Sequence, residues 1–320
     1  MGKKLVGISF GKTMGNTEIL LREALMGAEA AGAEVALVRA YDYDIKPCNG
    51  CNSCTFKPLD DNGFPFCRHN DDFKAFMEHI LDADGVIFAS PVYQMTPTGY
   101  MRLICDRIGP HFDVAVIQHE MKIKGKDEYP VDERIFKRRV AGFLCVGGAE
   151  RFKYVNMALP LMNLLTYPNQ IEVVDQHLVM ESILTGHVLA HPEDLERANQ
   201  LGRNVAESMD IPTEDLKWYG KEGLCPVCHN NMMVMDPESD EATCGICGVV
   251  GKVRIQDGKT VIDFPKDRLN ESRLTMEEKE LHGREITDFI MRAFPFVQNE
   301  VPKKIGKYKN YDVPVLTPEK

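Results

Sequence analysis

The sequence predicts an α/β protein built on a five-stranded, doubly wound parallel sheet and followed by a small cysteine-rich module. Five short apolar segments alternate with amphipathic helical segments over the first two thirds of the chain, which is typical of a parallel sheet with helices on both faces. Eight of the 10 cysteines fall into two groups of four, at 48–67 and 225–247. Close-set cysteines in a reducing compartment more often bind metal or perform redox chemistry than form structural disulfides.

The elements of the sheet follow one another in a regular order. The predicted strands cover 3–10, 34–40, 85–92, 139–146 and 170–180. Helical patterns lie at 16–31, 71–83, 98–108, 154–166 and 192–209. Gly32 ends the first helix, and Pro192 begins the last one. The largely polar segment 109–138 interrupts this alternation, and we interpret it as an insertion that forms either a lid or part of an oligomer interface.

The pattern changes after residue 210, which predicts a division of the chain. We expect an α/β domain at 1–210, a linker at 211–221 and a four-cysteine module at 222–264. In the remaining segment, 265–320, Thr275 and Glu278 form a capping box that opens a helix. The apolar face of this helix contains Ile286, Phe289, Ile290 and Ala293. The tail at 299–320 is predicted to be extended and partly disordered.

Composition and charge exclude several classes of function. Hydrophobic residues make up 44% and charged residues 27% of the chain, which is typical of a folded globular protein. The net charge of −10 repels nucleic acid and anionic membranes. No apolar run reaches the roughly 18 residues of a membrane span, and the first residues lack the pattern of a signal peptide. We therefore expect a cytoplasmic protein without nucleic-acid or membrane partners.

The loop after the first predicted strand has the residues of an anion site. The segment from Ser9 to Thr17 contains glycines, hydroxyls and Lys12 before the first helix begins. Backbone amides at a helix N-terminus bind phosphate, aided by the helix dipole. The loop matches neither GxGxxG nor the Walker motif, which disfavours NAD in a Rossmann crevice and ATP. A glycine-containing turn without a ligand is the alternative.

Two other strand ends are predicted to meet this loop. The third strand ends in the segment from Ser90 to Pro97, and the fourth is followed by Gly147 and Gly148. Glycines allow the backbone to approach a flat ring closely. In doubly wound sheets ligands bind beyond the carboxyl ends of the strands, and the flavodoxin-like strand order places FMN between the first and third strands. The sequence therefore favours an FMN site.

These segments resemble the iron-sulfur flavoproteins of the NADPH-dependent FMN reductase superfamily. The similarity covers about residues 3–205 and includes Gly15-Asn16-Thr17, the segment 47–54, Asp71-Asp72 and the segment 83–93. It implies a flavodoxin-like fold, bound FMN, and a homodimer or homotetramer with the flavin near a subunit interface. It also implies that the FMN phosphate is held by Ser9, Lys12, Thr13, Gly15, Asn16 and Thr17. The isoalloxazine is expected to contact Pro91, Val92, Tyr93 and Gln94, with its pyrimidine edge near Gly147 and Gly148.

The first cysteine group has the spacing of an iron-sulfur ligand run. Cys48, Cys51 and Cys54 form CxxCxxC, as in ferredoxin-type [4Fe-4S] sites, and Cys67 is the candidate fourth ligand. The long gap before Cys67 departs from the family's usual spacing. A zinc site, a redox-active dithiol and reduced cysteines beside the flavin are the alternatives. A one-electron cluster beside a flavin would convert hydride-level reduction into single-electron transfer.

The second cysteine group predicts a tetrahedral metal site. Cys225, Cys228, Cys244 and Cys247 form two CxxC knuckles, the spacing of a zinc ribbon. Iron, as in rubredoxin, is the alternative, because the geometry suits either metal. We favour structural zinc, since such a small module needs a metal to fold. A hairpin is predicted around Asp257-Gly258.

Together these features predict an FMN-dependent oxidoreductase. We expect it to pass electrons between NAD(P)H or a protein such as ferredoxin and an unidentified acceptor, through FMN and a [4Fe-4S] cluster. The chemistry is centred on the flavin and needs no separate catalytic side chain. Two alternatives stay open. The first is an NAD(P)H-dependent FMN or quinone reductase without a cluster, and the second is a redox-responsive adaptor that binds a partner through the four-cysteine module.

Overall fold

The computed structural model describes residues 2–57, 59–109, 112–125, 130–314 and 316, with only the backbone of residues 55 and 56. Its main sheet contains β1 (Lys4–Ser9), β2 (Glu34–Arg39), β3 (Gly85–Tyr93), β5 (Arg139–Val146) and β6 (Ile171–Val179). The two-residue strand β4 (Thr96–Pro97) pairs with β3 in the antiparallel direction. Each of the five predicted strands is found within one residue of its predicted bounds.

The strand order is β2-β1-β3-β5-β6, and all four pairings along this path are parallel. The chain moves outward from β1 to β2 and then crosses to β3 on the other side of β1. The crevice between the carboxyl ends of β1 and β3 is therefore the topological switch point. The predicted flavodoxin-like fold class is confirmed.

Helices cover both faces of the sheet. On one face, α1 (Asn16–Ala30) and α7 (Pro192–Ser208) contribute buried leucines, alanines and valines to a shared core. On the other face, α3 (Phe73–Asp82) and α4 (Gly99–Ile108) pack around Phe76, Met77 and Ile104. The short helix α2 (Ser53–Phe56) lies within the first cysteine group. Two separate apolar cores thus hold the strand ends in place.

The predicted helix at 154–166 is wrong in its extent. The structure has a 3-10 turn at Phe152–Tyr154, helix α6 (Ala158–Met162) and a second 3-10 turn at Asn163–Leu165. Pro160 has no amide hydrogen to donate within a continuous helix. The side-chain amide of Asn163 donates hydrogen bonds to the backbone carbonyls of Leu159 and Pro160, and these bonds compete with those of a regular helix.

The segment 109–138 is not a purely polar insertion in the part that the structure describes; residues 110, 111 and 126–129 lie outside that part. Helix α5 (Val114–Lys124) buries Val114 and Ile117, and the ring of Phe112 packs edge-on against Phe64 and Phe73. Residues 114–117 form an apolar run of only four residues, and the polar and charged residues that make up most of the segment masked it. Helix α5 also packs against the C-terminal helix α8 (Met276–Asn299).

The C-terminal third forms a second, antiparallel sheet. Its strands are β7 (Met233–Met235), β8 (Glu241–Cys244), β9 (Val250–Gln256) and β10 (Lys259–Asp263), in the order β10-β9-β8-β7. Asp257 and Gly258 both have positive φ and join β9 to β10, which confirms the predicted hairpin. The domain boundaries at 210, 221 and 264 stay predictions.

Helix α8 begins at the predicted cap, where the Thr275 hydroxyl accepts a hydrogen bond from the Glu278 amide at 3.3 Å. The predicted extended tail is wrong up to residue 309, because α9 (Val301–Lys304) and α10 (Gly306–Lys309) continue the helical path. Residues 315 and 317–320 lie outside the described part of the chain. Within the described part, no helix combines the length and the apolar character needed to cross a membrane.

Candidate functional site

The loop between β1 and α1 presents unpaired backbone donors at the switch point. Gly15 is the residue before the first turn of α1, and no side chain caps this end of the helix. The first amides of a helix have no partner within the helix, so those of Asn16 and Thr17 are directed outward beyond its end. This arrangement fits a phosphate, because the helix dipole adds positive potential at the same point.

A cavity of about 360 Å³ opens beside this loop. Lys12 and Thr13 line it from the loop, and Tyr93 lines it from the end of β3. Arg39, Tyr41 and Asp42 line it from the end of β2, and the sequence analysis did not identify them. They lie at the carboxyl end of β2, the neighbour of β1, and this position in the predicted sheet could have identified them as candidates. Two tyrosines and two cations around one cavity suit a phosphorylated aromatic ligand.

Side chains inside the loop maintain its shape. The Ser9 hydroxyl is buried and accepts a hydrogen bond from the Gly11 amide at 3.2 Å. A Cβ on Gly11 would lie 2.9 Å from the Cβ of Thr17, which is itself 3% exposed. Gly11 therefore allows the loop to close tightly over Thr17. These contacts give Ser9 and Thr17 a structural part in the loop, and their predicted contact with phosphate stays a prediction.

Asn16 connects the loop to a distant segment. Its amide nitrogen donates to the carbonyls of Ser182 and Leu184, both at 2.8 Å, and its side-chain oxygen accepts from the Val188 amide. The side chain is therefore engaged by the segment after β6, which leaves the backbone amide of Asn16 for a ligand. Sequence reasoning could not detect this contact, because the partners are more than 160 residues apart.

The end of β3 forms a strained turn beside the cavity. Val92 and Tyr93 pair with β4, so Gln94 and Met95 are the two central residues of a tight hairpin. Both have positive φ, at 50° and 71°, which costs about 1–2 kcal/mol for a residue with a side chain. Tyr93 and Met95 are exposed at 61% and 42%. Pro91 precedes them within β3, at the same carboxyl edge of the sheet. Strain of this kind is concentrated at functional sites.

The glycines after β5 differ from each other. Gly147 is buried, and a Cβ there would lie 2.5 Å from Cγ1 of Val155 and 3.6 Å from Cβ of Val92. Gly148 is exposed and lies against Ile183. Gly147 is thus required by the Val155 side chain that covers it. The predicted approach of both glycines to a flavin ring is not tested by these contacts and stays a prediction.

A buried carboxylate follows the loop between β1 and α1, residues 10–15, which we call the phosphate loop after its predicted ligand. Glu18 is fully buried in the first turn of α1, with Arg39 Nε at 2.7 Å and Arg22 at 2.9 Å. The hydrogen bonds from Arg39 outweigh the effect of burial and, with those of Arg22, lower the pKa of Glu18 to about 2. The ion pair therefore orients Arg39 at the wall of the cavity.

We expect Glu18→Gln to destabilise the protein by about 3 kcal/mol at neutral pH, since 2.5 pKa units correspond to roughly that free energy. A folded pKa below the unfolded value of 4.5 stabilises the fold above pH 4.5, and this contribution is lost as the pH falls toward 2. Urea unfolding at several pH values measures the effect. Glu29→Gln, at an exposed position on the same helix, serves as the control. A deficit of Glu18→Gln that stays constant down to pH 2.5 contradicts this assignment.

The first cysteine group lies around a second cavity. Cys48, Cys51, Cys54 and Cys67 all line a space of about 120 Å³, together with Arg68 and Arg107. Cys48 and Cys51 are exposed, whereas Cys54 and Cys67 are half-buried. A hydrogen bond with Ser53 lowers the pKa of Cys51. The four predicted ligands thus line one cavity, but among the residues that the structure describes no three of their sulfurs lie within 4.8 Å of one another.

Buried charged groups support the base of this cysteine loop. Arg107 and Asp71 are 2% and 1% exposed and form an ion pair of 2.6 Å. His69 has a buried Nε2 atom without a hydrogen-bond partner in the described structure. Asp71 was predicted only as part of the family resemblance, and Arg107 was assigned to no site. A buried arginine at a helix position is not visible in a sequence pattern.

The second cysteine group converges as a mononuclear metal site requires. Cys225 and Cys247 have their Sγ atoms 3.4 Å apart, and Cys228 and Cys244 have theirs 3.5 Å apart. All four sulfurs lie within 4.8 Å of one another and are buried. A tetrahedron with metal–sulfur bonds of about 2.3 Å has edges of about 3.8 Å, so the residues fit zinc or iron. Hydrogen bonds from the other three thiols lower the pKa of Cys244 well below its usual range.

Comparison with known proteins agrees with this architecture. The family model of NADPH-dependent FMN reductase matches residues 4–183, which include β1, the phosphate loop and the ends of β3 and β5. The chain belongs to the NADPH-dependent FMN reductase family. It is therefore an FMN-dependent oxidoreductase, and the cavity at the switch point lies where such a protein binds its flavin.

The relatives of this FMN reductase family member include a flavone synthase and several iron-sulfur flavoproteins. A flavone synthase, cfoJ, of Aspergillus candidus is 30% identical over 84% of the chain and 83% of that protein. An iron-sulfur flavoprotein of Archaeoglobus fulgidus is 28% identical over 65% of the chain and 80% of that protein. The solved structure of a flavone reductase covers 99% of the chain and 100% of its own, with a TM-score of 0.83 and 27% identity.

The phosphate loop of this FMN reductase family member provides a direct test of flavin binding. We expect Gly11→Val to reduce FMN affinity at least tenfold, because the added side chain would collide with Thr17 and open the loop. FMN content after purification and fluorescence titration of the apoprotein measure this. Gly283→Val, at a position with nothing within 4 Å of its added Cβ, is the matched control. Equal FMN affinity in both variants contradicts the role of this loop.

Proposed function

We propose that this chain is an NAD(P)H-dependent FMN enzyme that reduces a neutral planar aromatic acceptor of the flavone or quinone class. One observation carries the proposal. The similarity to a flavone reductase extends over 99% of the chain, including the four-cysteine module and the C-terminal helices. The iron-sulfur flavoprotein of Archaeoglobus fulgidus, by contrast, matches 65% of the chain.

The proposed chemistry assigns separate tasks to the residues of the site. FMN, when bound, supplies hydride transfer between a nicotinamide and an acceptor. The first backbone amides of α1 hold the phosphate, and Lys12 and Arg39 add positive charge at the cavity wall. Tyr93 and Met95, both exposed at the strained turn, are placed to contact a flat ring. The buried ion pair of Glu18 holds Arg39 in position.

The test is anaerobic turnover with NADPH and with NADH, using apigenin and menadione as separate acceptors. We expect oxidation of the nicotinamide and reduction of apigenin at its conjugated double bond, identified by mass spectrometry. Nicotinamide oxidation with menadione alone would restrict the acceptor to quinones. No oxidation with any acceptor would overturn the proposal and favour the partner-binding adaptor.

A second candidate, electron transfer through a [4Fe-4S] cluster, is supported by the first cysteine group. Four cysteines and two arginines line one cavity of about 120 Å³, and a thiolate-ligated cluster is an anion that cationic side chains stabilise. Iron, acid-labile sulfide, zinc and FMN contents of protein purified without oxygen separate the candidates. About one FMN and one zinc without sulfide supports the leading proposal, whereas about four iron and four sulfide per chain supports the cluster.

We also propose a homodimer or homotetramer in which a partner chain covers the exposed side of the candidate flavin site. Large apolar side chains are exposed on the loops near the candidate flavin site, and monomeric proteins rarely expose large apolar patches. They are Met14 after β1, Tyr93 at the end of β3, and Ile183 and Leu184 after β6. Light scattering during gel filtration measures the mass, and a mass of one chain, 36.1 kDa, would contradict this proposal.

A further inference from the structure

A separate cavity of about 500 Å³ lies between the main sheet and the four-cysteine module. One wall comes from α6 and the residues before it, including Val155 and Leu159. A second wall is the outer edge of β6, with Leu178 and Met180 nearest its end, and the module closes the space with Met232. None of these residues was assigned to a site by the sequence pattern.

The size and lining of this cavity suit an organic ligand. Ligand sites in proteins commonly enclose about 300–1,000 Å³, with mostly apolar walls and a few polar groups that orient the ligand. Here Gln176 and His177 on β6 stand opposite His229 on the module. His177 is hydrogen-bonded to Asp194 at 2.8 Å, and burial lowers its pKa. Lys221 and Glu222, both exposed, also line the cavity and carry opposite charges. The lining therefore has hydrogen-bonding groups without an excess of positive charge, which fits a neutral ring system better than an anion.

One side chain is shared between this cavity and the strand ends at the candidate flavin site. Val155 lines the cavity and also covers Gly147, where a Cβ would lie 2.5 Å from its Cγ1. The same Cβ would lie 3.6 Å from Cβ of Val92, at the end of β3. Val155 therefore belongs both to the wall of this cavity and to the packing at the ends of β3 and β5.

The four-cysteine module builds part of the wall. His229 directly follows the metal-ligand candidate Cys228, and the Asn230 side chain donates to the Cys228 carbonyl at 2.8 Å. Trp218, the one tryptophan of the chain, stacks on the His229 ring with centroids 4.2 Å apart and planes inclined by 9°. The position of this wall thus depends on the knuckle that the metal would organise.

We propose that this cavity binds a neutral planar aromatic molecule of flavone size, and that the folded four-cysteine module forms one of its walls. The inference rests on the proposed function for the class of ligand. It adds the place where that ligand binds and a reason why the module accompanies the flavin domain.

The test uses the FMN-loaded full chain without nicotinamide, so that binding is measured apart from turnover. Apigenin is the probe, and isothermal titration calorimetry gives its Kd. We expect Leu159→Trp, which fills the cavity, to weaken binding at least tenfold. Asn156→Trp should also weaken binding, and because Asn156 is exposed and lies outside the buried cores, we expect this variant to fold as wild type does. Met235→Trp, exposed on β7 of the same module, is the matched control and should bind as wild type does.

The outcomes separate this inference from the proposed function. If wild type does not bind apigenin, or if both cavity variants bind it as tightly as Met235→Trp, the cavity is not the ligand site, whatever the turnover assay shows. If both variants lose binding while wild type oxidises no nicotinamide with either apigenin or menadione, the cavity is confirmed as a ligand site and the proposed function is wrong. A change in Trp218 emission on apigenin binding to wild type supports the same location.

Discussion

Replacing Cys244 with serine is expected to unfold the four-cysteine module and to separate Trp218 from His229. The buried cluster of this module consists of its four cysteines and Val249, with a few half-buried neighbours. Without a metal such a core cannot offset the loss of chain entropy, and structural zinc contributes about 10–16 kcal/mol in comparable small modules. The variant should lose bound zinc and shift the Trp218 emission to longer wavelength.

Fluorescence and metal content together measure this effect. Cys48→Ser, in the first cysteine group, is the matched control and should leave zinc content and Trp218 emission unchanged. FMN content should be retained in both variants, because the cores on the two faces of the main sheet contain no residue of the module. Zinc content and emission in Cys244→Ser equal to those of wild type would contradict a structural metal at this site.

The main sheet could be predicted because its strands are buried on both faces. Residues 86–89 of β3 and 140–145 of β5 read as continuous apolar runs, which is the pattern of parallel strands. The same reasoning misses polar residues that the fold buries. Arg139 begins β5 and is fully buried, and its guanidinium donates to the carbonyls of Ile80, Leu81, Arg134 and Lys137. Four acceptors from two separate segments, 80–81 and 134–137, leave no signal in the sequence around an arginine.

The candidate flavin site could be located but not described in detail. Strand ends of a doubly wound sheet meet at one edge, so the loops after β1, β3 and β5 were correctly expected to be neighbours. The turn at Gln94 and Met95 contains no glycine despite two positive φ angles, so no turn signal marked it. Asn16 was predicted to hold phosphate; its side chain binds the segment 182–188, and a contact of its backbone amide with phosphate stays a prediction. Long-range contacts of this kind depend on tertiary structure and not on local pattern.

Asp71→Asn is expected to lower the free energy of unfolding by about 3–5 kcal/mol, because it would leave the buried Arg107 guanidinium without its counter-charge. Arg107 bonds both carboxylate oxygens, at 2.6 and 3.1 Å, and also donates to the Lys46 carbonyl at 2.7 Å. Asp71 in turn accepts from the amides of Lys46 and Phe73. Burial alone would raise the pKa of Asp71, but these hydrogen bonds outweigh it and lower that pKa.

The same pair joins the two ends of the first cysteine group, since Lys46 precedes Cys48 and Asp71 follows Cys67. Loss of the pair should therefore also increase the rate at which Cys54 and Cys67, both half-buried, react with a thiol reagent. Urea unfolding and thiol labelling followed by mass spectrometry measure the two effects. Asp61→Asn, whose carboxylate is 94% exposed opposite Lys57, should change stability by less than about 1 kcal/mol. If the two variants unfold at the same urea concentration, the cysteine loop is held by contacts other than this ion pair. If only the stability falls and the labelling rates do not change, the pair supports α3 and α4 without restraining the loop.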